Sequence, residues 1–142
     1  MVNLEEFFGQ SSPLNTMLDG YQPRHGQANM AEEVAHAIKE NQHLVIEAGT
    51  GIGKTFAYLV PALLSGQKII ISTGTKTLQD QLYHRDLPLI SKAIGRPIST
   101  ALLKGRSNYL CLNRASLATS NDKYIARDLK LVNQWLHQTI VG

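Results

Sequence analysis

The chain has 142 residues, 43% hydrophobic and 18% charged, which suits a globular core and excludes wholesale disorder. Five prolines and eleven glycines exclude a fibrous or low-complexity class, and a single cysteine excludes an internal disulfide framework and fits a reducing, cytoplasmic setting. The net charge of +3 is uneven: residues 1–90 hold six Lys/Arg and nine Asp/Glu, and residues 91–142 hold eight and two, so the second part either attracts phosphate backbones or carries a solvated basic face.

Along the chain there is no internal repeat, and no apolar run approaches the roughly 18 residues that span a bilayer. No membrane association is expected. Residues 1–8 carry Glu5 and Glu6 and no basic cluster, which argues against a secretory signal. Residues 1–26 mix Gly, Pro, Ser and Asn with scattered anchors (Phe7, Phe8, Leu14, Met17, Leu18) and read as a loose lead-in with one or two short helical turns. From Gln27 the pattern becomes regular. Met30, Val34 and Ile38 recur every four residues and predict an amphipathic helix that stops at Asn41. Residues 43–47 read as a buried strand, 54–64 as a helix with Pro61 as its one awkward residue, and 68–72 as a second, β-branched strand.

Residues 75–83 and 87–94 read as helices, the latter with Pro88 in its first turn. A weaker third strand is expected over 97–103, and a helix over 107–119 capped by Ser107. Ile125, Leu129, Val132 and Leu136 mark a last helix, with Asp122 ahead of it as a cap. Strands alternating with helices predict an α/β fold with a parallel sheet and helices on its faces.

The strongest motif is Glu47-Ala48-Gly49-Thr50-Gly51-Ile52-Gly53-Lys54-Thr55, between a predicted strand and a predicted helix. That is the context a phosphate-binding loop requires. Gly49, Gly51 and Gly53 let the backbone curl so that successive N–H groups face phosphate oxygens. The helix from Lys54 adds its positive end there. The Lys54 ammonium can reach β- and γ-phosphates, and the Thr55 hydroxyl is placed to ligate Mg²⁺. Ala48 stands where the motif has its first glycine, which an extended backbone tolerates. The competing reading is an ordinary glycine-rich strand–helix turn. Upstream, the Gln27 amide could pair with an adenine edge and favour ATP, beside Arg24. Read alone, both are ordinary surface residues at a helix start.

Hydrolysis also needs a carboxylate to hold Mg²⁺ through water, an orienter for the attacking water and an arginine finger. None of the eleven acidic residues follows a buried apolar strand as an Asp-Glu pair. The chain therefore reads as the nucleotide-gripping half of an ATPase and as the N-terminal fragment of a longer protein. Little ATPase activity is expected of it alone.

Several motifs then line up in order: Arg24 and Gln27; Ala48 to Thr55; Ser72-Thr73-Gly74-Thr75-Lys76-Thr77-Leu78-Gln79-Asp80-Gln81-Leu82; and Leu103-Lys104-Gly105-Arg106-Ser107-Asn108-Tyr109-Leu110-Cys111. Together they resemble the DinG/XPD group of superfamily 2 helicases, most closely its bacterial YoaA-like members, over nearly the whole chain. The resemblance implies a RecA-like P-loop NTPase fold: residues 1–26 as lead-in, 27–103 as the first part of motor domain 1, and 104–142 as the start of an iron–sulfur domain. It implies 5′→3′ translocation on single-stranded DNA in replication or repair, with protein partners unspecified. Gln27 with Arg24 matches the family's adenine-sensing motif, and Ala48, Gly49, Thr50, Gly51, Ile52, Gly53, Lys54 and Thr55 match its ATP site.

The resemblance also gives Thr75 and Gln79 contacts to the backbone of single-stranded DNA, although Thr75 also suits helix capping. Lys104 and Arg106 suit either DNA phosphate or a solvated basic turn. Cys111 matches one of four [4Fe-4S] ligands, whereas a lone cysteine in an apolar helix is otherwise a small core residue. Tyr109, Tyr124 and Trp135 invite base stacking, but Tyr124 and Trp135 lie in or beside the apolar stripe of the last helix and read as core. The five histidines show no metal-ligand spacing. Two other classes remain open: a P-loop enzyme of another kind, such as a small-molecule kinase, and a nucleotide- or DNA-binding module without turnover.

Overall fold

A computed structural model of the chain describes residues 3–118 and 123–136. The chain divides into two compact units, Met1–Ala101 and Leu102–Gly142.

The first unit begins with α1 (Leu4–Phe8). Asn3 caps it, its side chain accepting from the Glu5 N–H at 3.0 Å, and Glu5 and Glu6 lie in the first turn where the helix dipole favours them. Phe7 and Phe8 are buried and meet edge-to-face with ring centroids 5.3 Å apart. A 3₁₀ turn follows at Pro13–Thr16. The Ser12 hydroxyl accepts from the Leu14 N–H at 3.1 Å and donates to the Phe7 carbonyl, which folds Leu14 into the same apolar cluster. The one or two short helical turns expected here are present, and their anchors are packed into the core rather than loose. Burying side chains of this size stabilises by about 1.5–3 kcal/mol each, enough to order a short segment whose local helical preference is weak.

The expected long helix is α2 (His25–Glu40), and it stops at Asn41 as expected. Asn41 takes a left-handed conformation, φ 52°, and its N–H bonds back to the Ala37 and Ile38 carbonyls. Helix α3 (Lys54–Leu64) packs along α2. Its Pro61 is buried and lacks the N–H that would bond the Ala57 carbonyl one turn earlier in the ladder. Then α4 (Lys76–Gln81), a π-helical turn (Leu82–Asp86) and α5 (Leu87–Ile94) run on without a break. Gly95, φ 76°, closes α5, and the Arg96 guanidinium donates to the Leu63 carbonyl near the end of α3. Phe7, Phe8, Leu14, Ala31, Ala57, Leu59, Val60, Leu82 and Ile90 form one core.

The three expected strands are absent: among the described residues no strand occurs. Residues 43–47 and 68–72 are non-helical, and no backbone hydrogen bond among the described residues joins them. Their side chains nevertheless alternate as strand side chains do. Val45 is 97% exposed between Leu44 at 40% and Ile46 at 37%. Ile70 is 90% exposed between Ile69 at 37% and Ile71 at 38%. A strand is defined by its ladder, and neither segment has a partner on its edges. Each covers one face and leaves the other to solvent.

In the second unit, a 3₁₀ turn (Arg106–Asn108), α6 (Leu112–Leu117) and α7 (Lys123–Leu136) follow one another. The expected helix over 107–119 is shorter. Ser107 lies within the 3₁₀ turn rather than capping a helix, and Tyr109 is extended because its hydroxyl accepts from the Lys104 N–H at 2.9 Å, which folds the chain back before α6. Thr119 and the expected cap Asp122 lie outside the described residues. Helix α7 carries the expected Ile125, Leu129, Val132 and Leu136. Tyr124, 75% exposed, and Trp135, 49% exposed, do not occupy the core positions expected of them.

Candidate nucleotide-binding site

The loop over 48–53 ends on Gly53, the residue preceding α3, and Gly53 has φ 86°. A side chain there would be strained by the left-handed backbone and would also strike Gln27, whose Nε2 lies 2.2 Å from where a Cβ would stand. That close approach has a purpose. Gln27 is 4% exposed, and its amide donates to the Gly53 carbonyl at 3.0 Å. Its Oε1 accepts from the Tyr21 hydroxyl at 3.4 Å. The Arg24 guanidinium donates to the Gly51 carbonyl. Two residues that precede or open α2 thus hold the loop from one side, 26 and 27 positions away in sequence.

On the other side, the Lys54 ammonium donates to the Ala48 carbonyl at 2.9 Å and the Gly49 carbonyl at 2.7 Å. The lysine therefore bends back over the loop that precedes it. A side chain added at Gly26 or Gly49 would meet Ile52 at ordinary van der Waals distance, and Thr50 in the loop is exposed. Thr55 follows Lys54 in the first turn of α3. Two cations, the positive end of an eleven-residue helix and a curled backbone converge on one small region. That combination attracts a polyanion with several oxygens, which a triphosphate supplies. The Thr55 hydroxyl is a side chain that could hold a magnesium ion, which would offset phosphate charge.

Tyr21 was not singled out in the sequence, yet it braces Gln27, and its hydroxyl is also within 3.3 Å of the Phe8 carbonyl. Burial pushes its pKa up, against the opposing pull of Ser12 and Arg24. Nothing in the sequence pattern marks it, because its role rests on a contact with α1 that only the fold creates.

Thr75 caps α4, its hydroxyl accepting from the Leu78 N–H at 3.2 Å. Gln79 sits on the same helix. Lys104 and Arg106 belong to the second unit, where Arg106 opens the exposed 3₁₀ turn. Cys111 is exposed and precedes α6. Among the described residues no group of three or more His, Cys, Asp and Glu could hold a metal ion, and no helix is long and apolar enough to cross a membrane.

The sequence pattern of the DEAD/DEAH box helicases matches residues 28–126. The chain is 50% identical over 139 residues to the ATP-dependent DNA helicase YoaA of Escherichia coli (strain K12), covering 95% of this chain and 22% of that protein. It is 48% identical over 143 residues to the protein of that name in Haemophilus influenzae, covering 98% of this chain and 22% of that protein. It is 40% identical over 141 residues to the 3'-5' exonuclease DinG of Bacillus subtilis (strain 168), covering 94% of this chain and 15% of that protein. The chain thus spans about a fifth of the length of these curated relatives. No solved structure matches it.

Proposed function

Because the chain belongs to the DEAD/DEAH box helicase family, whose domain has a P-loop NTPase fold, we propose that it is the N-terminal part of an ATP-dependent DNA helicase. The observation that carries this reading is the cradle over 48–55: a loop closed by Gly53, bent over by Lys54 and braced by Arg24 and Gln27. In this account the loop amides and Lys54 hold the triphosphate, and Thr55 holds magnesium. Gln27 reports on the nucleotide through its bond to Gly53. Its amide is then a sensor of loop shape more than a reader of the adenine edge. The names of the relatives support ATP and DNA as ligands.

Several finer readings go with it. Single-stranded DNA lies against Thr75 and Gln79, with Lys104 and Arg106 as further phosphate contacts. Residues 27–103 begin the first motor domain and 104–142 begin the iron–sulfur domain. The segments over 43–47 and 68–72 become strands of a parallel sheet once neighbouring strands pair with their edges, and the alternation around Val45 and Ile70 supports this. Cys111 is one of four thiolates of a [4Fe-4S] cluster. The 142 residues contain one cysteine and do not fit that cluster alone, so no step here runs through it. The setting is the cytoplasm, with the work in replication or repair.

The test is ATP turnover by the full-length protein with and without single-stranded DNA. Turnover stimulated by DNA and lost in Lys54→Ala is expected. Turnover indifferent to DNA and dependent on a small-molecule acceptor would place the loop in another class of P-loop enzyme.

A further inference from the structure

Asp86 is a carboxylate without a place in the account so far. Leu82, Asp86 and Ile90 recur every four residues and all three are buried, Asp86 at 1% exposure. A charge therefore stands where the inward face of the helix would take an apolar residue. Its two oxygens are held by side chains. One accepts from the Gln81 Nε2 at 3.1 Å and the other from the Arg85 Nε at 2.9 Å. Arg85 is largely exposed, so the carboxylate is poorly compensated, and an apolar side chain of similar size would suit the fold as well or better.

The bond from Gln81 shows what the carboxylate does. In an α-helix, residues five apart lie about 140° apart around the axis, and their side chains do not meet. Gln81 and Asp86 are five apart and do meet, because the turn between them is π-helical and the Leu87 N–H reaches the Leu82 carbonyl five residues back. The wide turn makes the side-chain bond possible, and the bond in return holds the turn. One extra residue in the turn rotates α4 by about 100° from where a continuous α-helix would leave it. None of the six residues of α4 is buried, so α4 does not take its rotation from core packing of its own. The turn itself does pack: Leu82 joins the core, and α3 lies against both the turn and α5.

We propose that Asp86 and Gln81 are positioning residues that clasp the π-turn and set the rotation of α4, and with it the groups that α4 presents to a single strand of DNA. This rests on the proposed helicase reading, in which Thr75 and Gln79 meet the DNA backbone. Thr75 caps α4 and Gln79 lies within it. A rotation of about 100° carries Gln79 to a different face. With the clasp closed, both groups are held in one orientation before DNA arrives, and less conformational freedom is lost on binding. Neither Asp86 nor Gln81 belongs to the cradle over 48–55, so breaking the clasp leaves the nucleotide's own contacts in place.

The experiment measures ATP turnover by the full-length protein as single-stranded DNA is titrated, in wild type, Asp86→Asn, Asp86→Leu and Gln81→Leu. Asp86→Asn keeps a carbonyl oxygen that accepts from Gln81, and its KM for DNA is expected to stay within about threefold of wild type, less than a typical hydrogen bond's contribution. Asp86→Leu and Gln81→Leu break the clasp. Each is expected to raise the KM for DNA about tenfold, the scale of one or two lost hydrogen bonds, with kcat at saturating DNA and the KM for ATP within about twofold of wild type. Gln81 is half-buried, so its variant remains informative if Asp86→Leu fails to fold. A wild-type KM for DNA in either folded leucine variant overturns the proposal and leaves the helicase reading standing. So does a parallel loss in kcat and in both KM values, which is the mark of a merely structural role. Turnover indifferent to DNA in wild type overturns the reading, and the proposal with it.

Discussion

Gly53 concentrates two constraints at one residue. Its φ of 86° is one that side chains resist, and Gln27 fills the space a Cβ would need. Gly49, four residues earlier, has neither constraint: the nearest group to its would-be Cβ is the Ile52 side chain at 3.9 Å, an ordinary contact. Gly53→Ala is therefore expected to cost about 1–2 kcal/mol in backbone strain and roughly 1 kcal/mol more for the lost Gln27 bond. Gly49→Ala is expected to leave thermal stability nearly unchanged. Melting curves of the two variants check this, and equal behaviour would mean that the bond from Gln27 does not hold the loop. The loop motif itself was legible residue by residue, since Gly, Lys and Thr at fixed spacing have few other uses. The bracing by Tyr21 and the burial of Asp86 were not legible, because each depends on a neighbour distant in sequence or across a helix interface.

Helix α1 is one of the short helical turns expected in the lead-in, but how tightly it packs was not readable from the sequence. Its five residues include Phe7 and Phe8 side by side, which gives no helical period to detect. Both rings are buried in the core with Leu14. Phe8→Ala is expected to destabilise the first unit by about 3–5 kcal/mol, read as a fall in the denaturant midpoint. An unchanged midpoint would show that the segment is dispensable. Longer elements were readable: α2, α3, α5 and α7 each show helical spacing over two turns or more, and α2 and α5 end on Asn41 and Gly95, where the chain turns left-handed. The strands were readable as apolar runs but not as a sheet, because a ladder needs partners that local sequence does not name. The helix over 107–119 failed for a similar reason: the Tyr109 hydroxyl bonds back to Lys104, and no periodicity reports that.

At the scale of the molecule, the first unit folds its N-terminal residues and five helices around one core, and the second is a shorter helical unit in which much apolar surface, including Leu103, Leu117 and Tyr124, is exposed. In the first unit Val45 and Ile70 present faces that a solitary soluble domain normally covers. These features accord with a chain that makes up about a fifth of its relatives' length. The nucleotide cradle, by contrast, is built wholly within the first unit, from α2, α3 and the loop between them. Titration of the full-length protein with magnesium ATP therefore tests the central claim most directly. The account predicts saturable binding at one site, weakened at least tenfold by Lys54→Ala, a loss of about 1.4 kcal/mol. Binding of equal strength in the folded Lys54→Ala variant, or none in a folded wild type, would contradict it.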